Sequence, residues 1–383
     1  MSHDHDSQES HSSNDVEDDG YDDDMDHDGN DNDTHHGTSS DDSVYSSAGN
    51  DMLYGGDGDD QYHGGLDDDD LFGESGHDHL YGDDGNDNLE GGEGDDYFQG
   101  GHGDDSMIGG NGFDSIDYLD SDYSVSINLS LRTAQNTGWG LDYIEGIEEM
   151  TGSHFDDKLT GSKVDDHLNG DEGDDSLKGG DGDDHLNGGL GDDEFNGGNG
   201  FDVADYSDSA LGIAVNLAKT SRQDTHQGYD KLISIEEVIG SDYDDDLNGS
   251  SKLDTLTGGS GADRLDGGLG SDDLTGGVGA DVFEFTTSLG KLNIDRVADF
   301  ESGIDSIELE DKIFKKLKND TDLSDNFYIN GSGIQDKDDY LVYDLVSGVL
   351  SYDKDGSASS KALQIAIVGN GGVNLTYVDF DIV

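Results

Sequence analysis

The stretch 46–117 parses without a gap into eight nine-residue units: SSAGNDMLY, GGDGDDQYH, GGLDDDDLF, GESGHDHLY, GDDGNDNLE, GGEGDDYFQ, GGHGDDSMI and GGNGFDSID. The sixth place of every unit is aspartate (Asp51, Asp60, Asp69, Asp78, Asp87, Asp96, Asp105, Asp114). The eighth is apolar (Leu53, Tyr62, Leu71, Leu80, Leu89, Phe98, Met107, Ile116), and places one, two and four are mostly glycine. Glycines at fixed offsets let the backbone reach positive φ and turn tightly. One apolar residue between polar neighbours fits a short strand with a single inward side chain. Nine residues cannot bury that side chain alone, so successive units must stack and share a core. Stacking aligns the place-six carboxylates in columns, which repel unless a hard cation lies between them. Calcium suits such a site best, because carboxylates and turn carbonyls are oxygen ligands in a flexible setting.

The period returns twice. A second array, 152–205, carries Asp157, Asp166, Asp175, Asp184, Asp193 and Asp202, with Leu159, Leu168, Leu177, Leu186, Phe195 and Ala204 inward. A third, 240–284, carries Asp245, Asp254, Asp263, Asp272 and Asp281. The connectors between arrays, 118–151 and 206–239, align at a constant offset of 88 residues, so that Tyr118 matches Tyr206 and Asp142 matches Asp230. In each, alternation (Val125, Ile127, Leu129; Ile213, Val215, Leu217) predicts a strand. The later Ile144/Ile147 and Leu232/Ile235 spacings predict a short helical or turn segment. The connectors are expected to be packed bridges or partial caps between arrays.

The motif GGxGxD followed by x-apolar-x resembles the RTX (hemolysin-type) calcium-binding nonapeptide repeat. The resemblance implies an all-β fold, a right-handed parallel β-roll in which two nonapeptides make one coil. It also implies multiple Ca2+ ions between loops two units apart, held by the nineteen place-six aspartates and by carbonyls of the glycine turns. In the leading units of the later arrays, place four is bulky: Phe155, Val164, Tyr243 and Lys252. Side chains there disfavour a left-handed turn, so these loops are expected to hold calcium poorly.

Flanking regions differ. Residues 1–45 are rich in Asp, His, Ser, Asn and Gly and read as a disordered leader. Its histidines (His3, His5, His11, His27, His35, His36) could bind zinc, copper or nickel weakly, although a plain acidic leader is the simpler reading. Residues 285–383 break the period and read as a β-rich C-terminal cap. There Asp295–Leu309 resembles the D-x-I-x-D-F signature that follows RTX arrays, and 311–318 suggests a short amphipathic helix with Ile313, Phe314 and Leu317 inward. YLVYD, GVLSYDKDG and ALQIAIVG read as strands, and the D-x-D-G of Asp353 and Asp355 as a turn rather than a further ion site. The acidic, apolar ending Asp379–Val383 resembles the uncleaved C-terminal signal of type I (ABC transporter) secretion.

Charge and composition narrow the function. A net charge of -75 disfavours nucleic acid and anionic membranes. No run approaches a transmembrane span. With no cysteine, the chain has no disulfide or thiolate chemistry, and bound calcium would be the staple instead. The start has no basic, apolar signal peptide. HExxH and GxSxG are absent, and no span of domain size is left for an active site, so no catalytic residue is assigned. The expectation is a secreted, extracellular or cell-surface calcium-binding repeat protein with a structural or adhesive role, disordered without metal and folded with it. The alternative is a polysaccharide-binding accessory module resembling those of alginate epimerases.

Overall fold

The computed structural model of the chain describes residues 24–26, 32–317, 323–329, 339–356, 362–369 and 371–383. Two compact units divide it, 1–151 and 152–383. In the first, short strands stack in parallel into two sheets. One runs through Thr34–His36, Met52–Asp57, Asp70–Ser75, Asn88–Glu93, Ser106–Asn111 and Leu141–Glu145. The other runs through Asp24–Asp26, Ser43–Tyr45, Gln61–Leu66, His79–Asp84, Tyr97–Gln99, Ser115–Asp117 and Glu149–Thr151. Each unit of nine therefore pairs with the unit two ahead, and two nonapeptides make one coil.

The register explains the core. Leu53 pairs with Leu71, Leu71 with Leu89 and Leu89 with Met107, so each place-eight side chain lies above the next. All eight place-eight residues of the first array are fully buried or nearly so. Place nine points outward, and its rings stack coil upon coil: His36–Tyr54 at 4.7 Å and Tyr54–Phe72 at 4.9 Å on one sheet, Tyr45–His63 at 4.4 Å and His63–Tyr81 at 4.2 Å on the other. The second unit repeats the plan. Leu159, Leu177, Phe195 and Leu232 align on one sheet, Leu168, Leu186, Ala204, Val238, Leu256 and Leu274 along another. A further sheet aligns Val215, Leu247, Leu265, Phe283 and Ile307. The architecture is the parallel β-roll that the resemblance implies.

Several expectations need correction. The roll begins before residue 46: Ser43–Tyr45 and Thr34–His36 are strands of it, Val44 is buried, and His35 and His36 belong to a strand rather than a leader. Residues 1–23 and 27–31, with His3, His5, His11 and His27, lie outside the described residues. The connectors are not bridges. Leu141–Glu145 and Tyr229–Ile233 are strands, not helical segments, and each continues a sheet of the roll. Between array and strand, Ser126–Asn128 and Ala214–Asn216 form with Val125, Ile127, Ile213 and Val215 buried, while Leu217 is only half-buried.

The C-terminal region also extends the roll instead of standing apart. Asp295–Val297 and Ser306–Leu309 pair in parallel with strands of the third array, and Leu363–Val368 and Phe380–Ile382 pair onto those in turn. Leu341–Asp344, Val349–Tyr352 and Leu363–Val368 form the antiparallel part. Residues 311–317 are successive turns that bury Phe314 and Leu317, not a helix; residue 318 is outside the described set. Asp353 Oδ1 accepts the amides of Asp355 and Gly356 at 3.1 and 3.2 Å, a plain turn.

Because Leu80 aligns with Tyr62 in the coil below and Phe98 in the coil above, one truncation should be felt across several coils. Leu80→Ala is expected to destabilise the calcium-saturated chain by about 2–5 kcal/mol, read by urea unfolding. An unchanged midpoint would contradict a shared core at this position.

Candidate metal centre

The turns hold their aspartates by a backbone rule. The main-chain amide of one place-six aspartate donates to Oδ1 of the aspartate one coil ahead. Asp51 donates to Asp69 (2.7 Å), Asp69 to Asp87 (2.8 Å) and Asp87 to Asp105 (3.0 Å). On the opposite turns Asp60 donates to Asp78, Asp78 to Asp96 and Asp96 to Asp114, each at 2.9 Å. The later arrays do the same, for example Asp157 to Asp175 at 2.7 Å, Asp166 to Asp184 at 3.0 Å and Asp245 to Asp263 at 2.9 Å. All nineteen predicted aspartates are buried, none more than 3% exposed.

One oxygen of each carboxylate is thus satisfied, and in most of them the second is not. In thirteen of them Oδ2 is buried without a hydrogen-bond partner: Asp60, Asp69, Asp78, Asp87, Asp96, Asp105, Asp114, Asp175, Asp184, Asp193, Asp202, Asp263 and Asp272. An uncompensated buried carboxylate oxygen is costly, so native folds pair it with a donor or a metal. The space beside it is a cradle that a side chain would fill. A Cβ on Gly64 would fall 2.5 Å from Asp69 Oδ2 and 2.8 Å from the carbonyl oxygen of Gly82 in the next coil. Gly170 is placed likewise between Asp175 Oδ2 and the Gly188 carbonyl, and Gly258 between Asp263 Oδ2 and the Gly276 carbonyl. Among the described residues no three acidic or histidine side chains converge on one point, so main-chain carbonyls must complete any ion's shell. Carboxylate plus carbonyl is the donor set of calcium, and these residues fit it.

The remaining six differ. Oδ2 of Asp51 accepts from Ser46 Oγ. Asp157, Asp166, Asp245 and Asp254 accept on Oδ2 the amides of Ser153, Ser162, Ser241 and Ser250, at 2.5, 2.5, 2.7 and 2.5 Å. Asp281 is buried and donates its amide to Asp305 Oδ1 at 3.1 Å. The expected cause in the leading units, bulk at place four, is not what separates the two groups. Gly49, at place four beside the closed Asp51, is left-handed at φ 128°, whereas Gly85 beside the open Asp87 is not left-handed.

Rungs missed in the sequence come from outside the arrays. Asp105 donates its amide to Asp142 Oδ1 and Asp193 to Asp230 Oδ1, both across 37 residues instead of 18. Asp272 donates to Asp295 at 3.1 Å across 23 residues. Upstream, Asp42 receives Thr38's amide at 2.6 Å and donates its own to Asp60. The insertions hid these positions from a strict nine-residue count. The match of Asp142 to Asp230 across the connectors was the available signal.

Burial, reinforced by neighbouring carboxylates and opposed by the donated amides, pushes the open carboxyls up. Asp87 and Asp193 rise to about 8, and Asp69, Asp105, Asp175, Asp184 and Asp263 to about 7. A carboxyl raised in the fold adds stability that is complete below its unfolded value of 3.8 and is lost as pH rises through the folded value. In chelator, the chain should therefore gain β-signal on acidification from pH 8 towards pH 4, protons taking the cation's part. A circular dichroism series that stayed flat across that window would count against it.

Compared with known protein families, the chain matches the RTX calcium-binding nonapeptide repeat (4 copies) over residues 27–62, 63–98, 81–116, 151–181, 169–204, 239–274 and 248–283. No curated protein matches. Among solved structures, the chain is similar to the extracellular lipase LipA from Serratia marcescens at 16% identity, covering 61% of this chain, with a TM-score of 0.18. The match spans 40% of that lipase chain. In its three arrays the chain carries RTX calcium-binding nonapeptide repeats.

Proposed function

We propose that the chain is a secreted structural or adhesive protein of the cell exterior whose roll forms when calcium binds, with no catalytic role. The observation that carries this is the set of thirteen buried carboxylate oxygens that lack any donor in the fold. Bound calcium supplies positive charge and oxygen coordination at those points. Without it, a chain of net charge -75 repels itself and its columns of aspartates oppose stacking. Where free calcium is low, the chain then stays open enough for a type I (ABC) exporter; extracellular modules bind in a range of about 0.1–1 mM.

The chain's last strand supports that order of events. Phe380–Ile382 pairs with Ser306–Leu309, and Asp379 is buried. Asp379 accepts from Ser302 Oγ, from the Gly303 amide at 2.9 Å and from the Thr376 amide at 2.6 Å. An export signal in this segment is readable only before the roll closes over it.

A second reading, an accessory module that binds extracellular polysaccharide, is favoured by one groove in the first unit. It has a volume of about 530 Å³ and is lined by Trp139, His102, Gln99, Asp83, Asp84 and Asp120. His102 stacks on Trp139 at 5.2 Å, and the buried indole Nε1 has no acceptor. A ring face with surrounding hydroxyl acceptors is the chemistry that sugars meet.

Circular dichroism should show little β-signal in chelator at neutral pH and a steep gain in millimolar calcium, with magnesium failing to substitute. An equally β-rich chain after chelation would overturn the calcium reading. Removing residues 362–383 should abolish export from a host carrying a type I exporter; unimpaired export would remove that route. For the second reading, alginate should bind in calcium and lose affinity on Trp139→Ala, and absence of any glycan binding would discard it.

A further inference from the structure

The closed carboxylates lie at the ends of the arrays. The first array opens with Asp42, capped by the Thr38 amide, and Asp51, capped by Ser46 Oγ. The second opens with Asp157 and Asp166, the third with Asp245 and Asp254, each capped by a serine four residues before it. The serine hydroxyls add a second bond to the other oxygen, at 2.9 Å for Asp157, 3.2 Å for Asp166, 2.8 Å for Asp245 and 3.1 Å for Asp254. At the far ends, Asp142 Oδ2 receives Thr137 Oγ1 at 2.5 Å and the Tyr118 hydroxyl at 3.2 Å. Asp230 Oδ2 receives Thr225 Oγ1 at 2.6 Å and the Tyr206 hydroxyl at 3.1 Å. After the third array, Asp305 Oδ2 receives the Glu301 amide at 2.6 Å.

We propose that these end rungs take no ion: donors of the chain itself stand where a cation stands in the middle rungs, so that each array opens on metal-free loops and one of its two columns of aspartates also ends on one. This rests on the calcium reading above and says which loops are exempt from it.

The conformation of place two separates the two kinds of loop. In all thirteen units with an open Oδ2, place two has positive φ, from Gly56 (106°) and Gly65 (100°) through Gly259 (112°) and Gly268 (84°). Even Glu74 (73°), Asp83 (70°) and Asp171 (75°) adopt it, a conformation that side chains other than glycine disfavour. In the closed units, place two is Thr38, Ser47, Ser153, Ser162, Ser241 or Ser250, and none of them has positive φ. In five of these, all but Ser47, the place-two amide is the group that donates to Oδ2. The choice between protein donor and metal is therefore written one dihedral angle away from the aspartate.

The position of the closed rungs has a physical reason. A loop inside an array has a like loop on either side to complete an ion's shell. A loop that opens an array has one, so an ion there would be filled out by water and would leave first as calcium falls. Hydrogen bonds from serine, threonine and tyrosine do not depend on calcium concentration. They keep the ends of the ladder from fraying when the outermost ions are weakest.

The test is an ion count on the full chain, by equilibrium dialysis in millimolar calcium with elemental analysis. Opening two end loops with Ser153→Gly, Phe155→Gly, Ser162→Gly and Val164→Gly should raise the count by one ion for each loop opened. In single variants, Asp166→Asn should leave the count of wild type, and Asp184→Asn should lower it. Circular dichroism in calcium establishes that each variant is folded; the opened variant installs only residues that the middle coils already carry. A count unchanged on opening, or lowered equally by Asp166→Asn and Asp184→Asn, overturns the inference and leaves the calcium reading standing. A wild-type chain that takes up no calcium removes both.

Discussion

The whole roll depends on what meets the second oxygen of a buried carboxylate. Parallel stacking forces each place-six aspartate inward of the turn, where its first oxygen accepts an amide from the neighbouring coil. That bond sets the spacing of the coils and costs little. The second oxygen is left in a space that no side chain of the middle units enters. Desolvated and partnerless, each such oxygen carries a free-energy cost that opposes the metal-free fold. On the function proposed above, an external partner for those oxygens completes the fold, and the scaffold then responds to the surrounding cation.

The apolar ladder and the acidic ladder have opposite characters. Leu53, Leu71 and Leu89 lie one above another and favour stacking in any medium that contains water. The columns Asp60–Asp78–Asp96–Asp114 and Asp51–Asp69–Asp87–Asp105 oppose stacking unless charge is neutralised. A single nonapeptide carries both, separated by two residues. The glycine-rich turn lets them coexist: it brings carbonyls towards the carboxylate and leaves room between them, as at Gly64 between Asp69 and Gly82.

The connectors show how a repeat protein admits an insertion without losing its register. Asp142 and Asp230 take the place that the next repeat's aspartate would occupy, although 37 residues separate them from Asp105 and Asp193 instead of 18. The intervening segment loops out, and Ile144 and Leu232 then pair with Met107 and Phe195 as if the period had been unbroken. The C-terminal region uses the same device with shorter insertions, at Asp295 and Asp305. What reads as an end of the array in the sequence is a continuation in space.

The sequence alone determined the period, the inward and outward faces, the nineteen aspartates and the kind of ion they suit, and its resemblance to RTX repeats implied the parallel roll. A nine-residue period with one apolar and one acidic place requires stacked units, which bury the first and bring the second into columns. It also exposed the pairing of Asp142 with Asp230, without revealing what they do. Only the tertiary structure decided that Ser43–Tyr45 and Thr34–His36 already belong to the roll, and that the connectors and the C-terminal strands extend it. It alone divided the aspartates into those facing an empty cradle and those held by Thr38, Ser153 or Tyr118. The reason is that these outcomes turn on contacts across a coil and on the backbone angle at place two, and neither is carried by the identity of the aspartate.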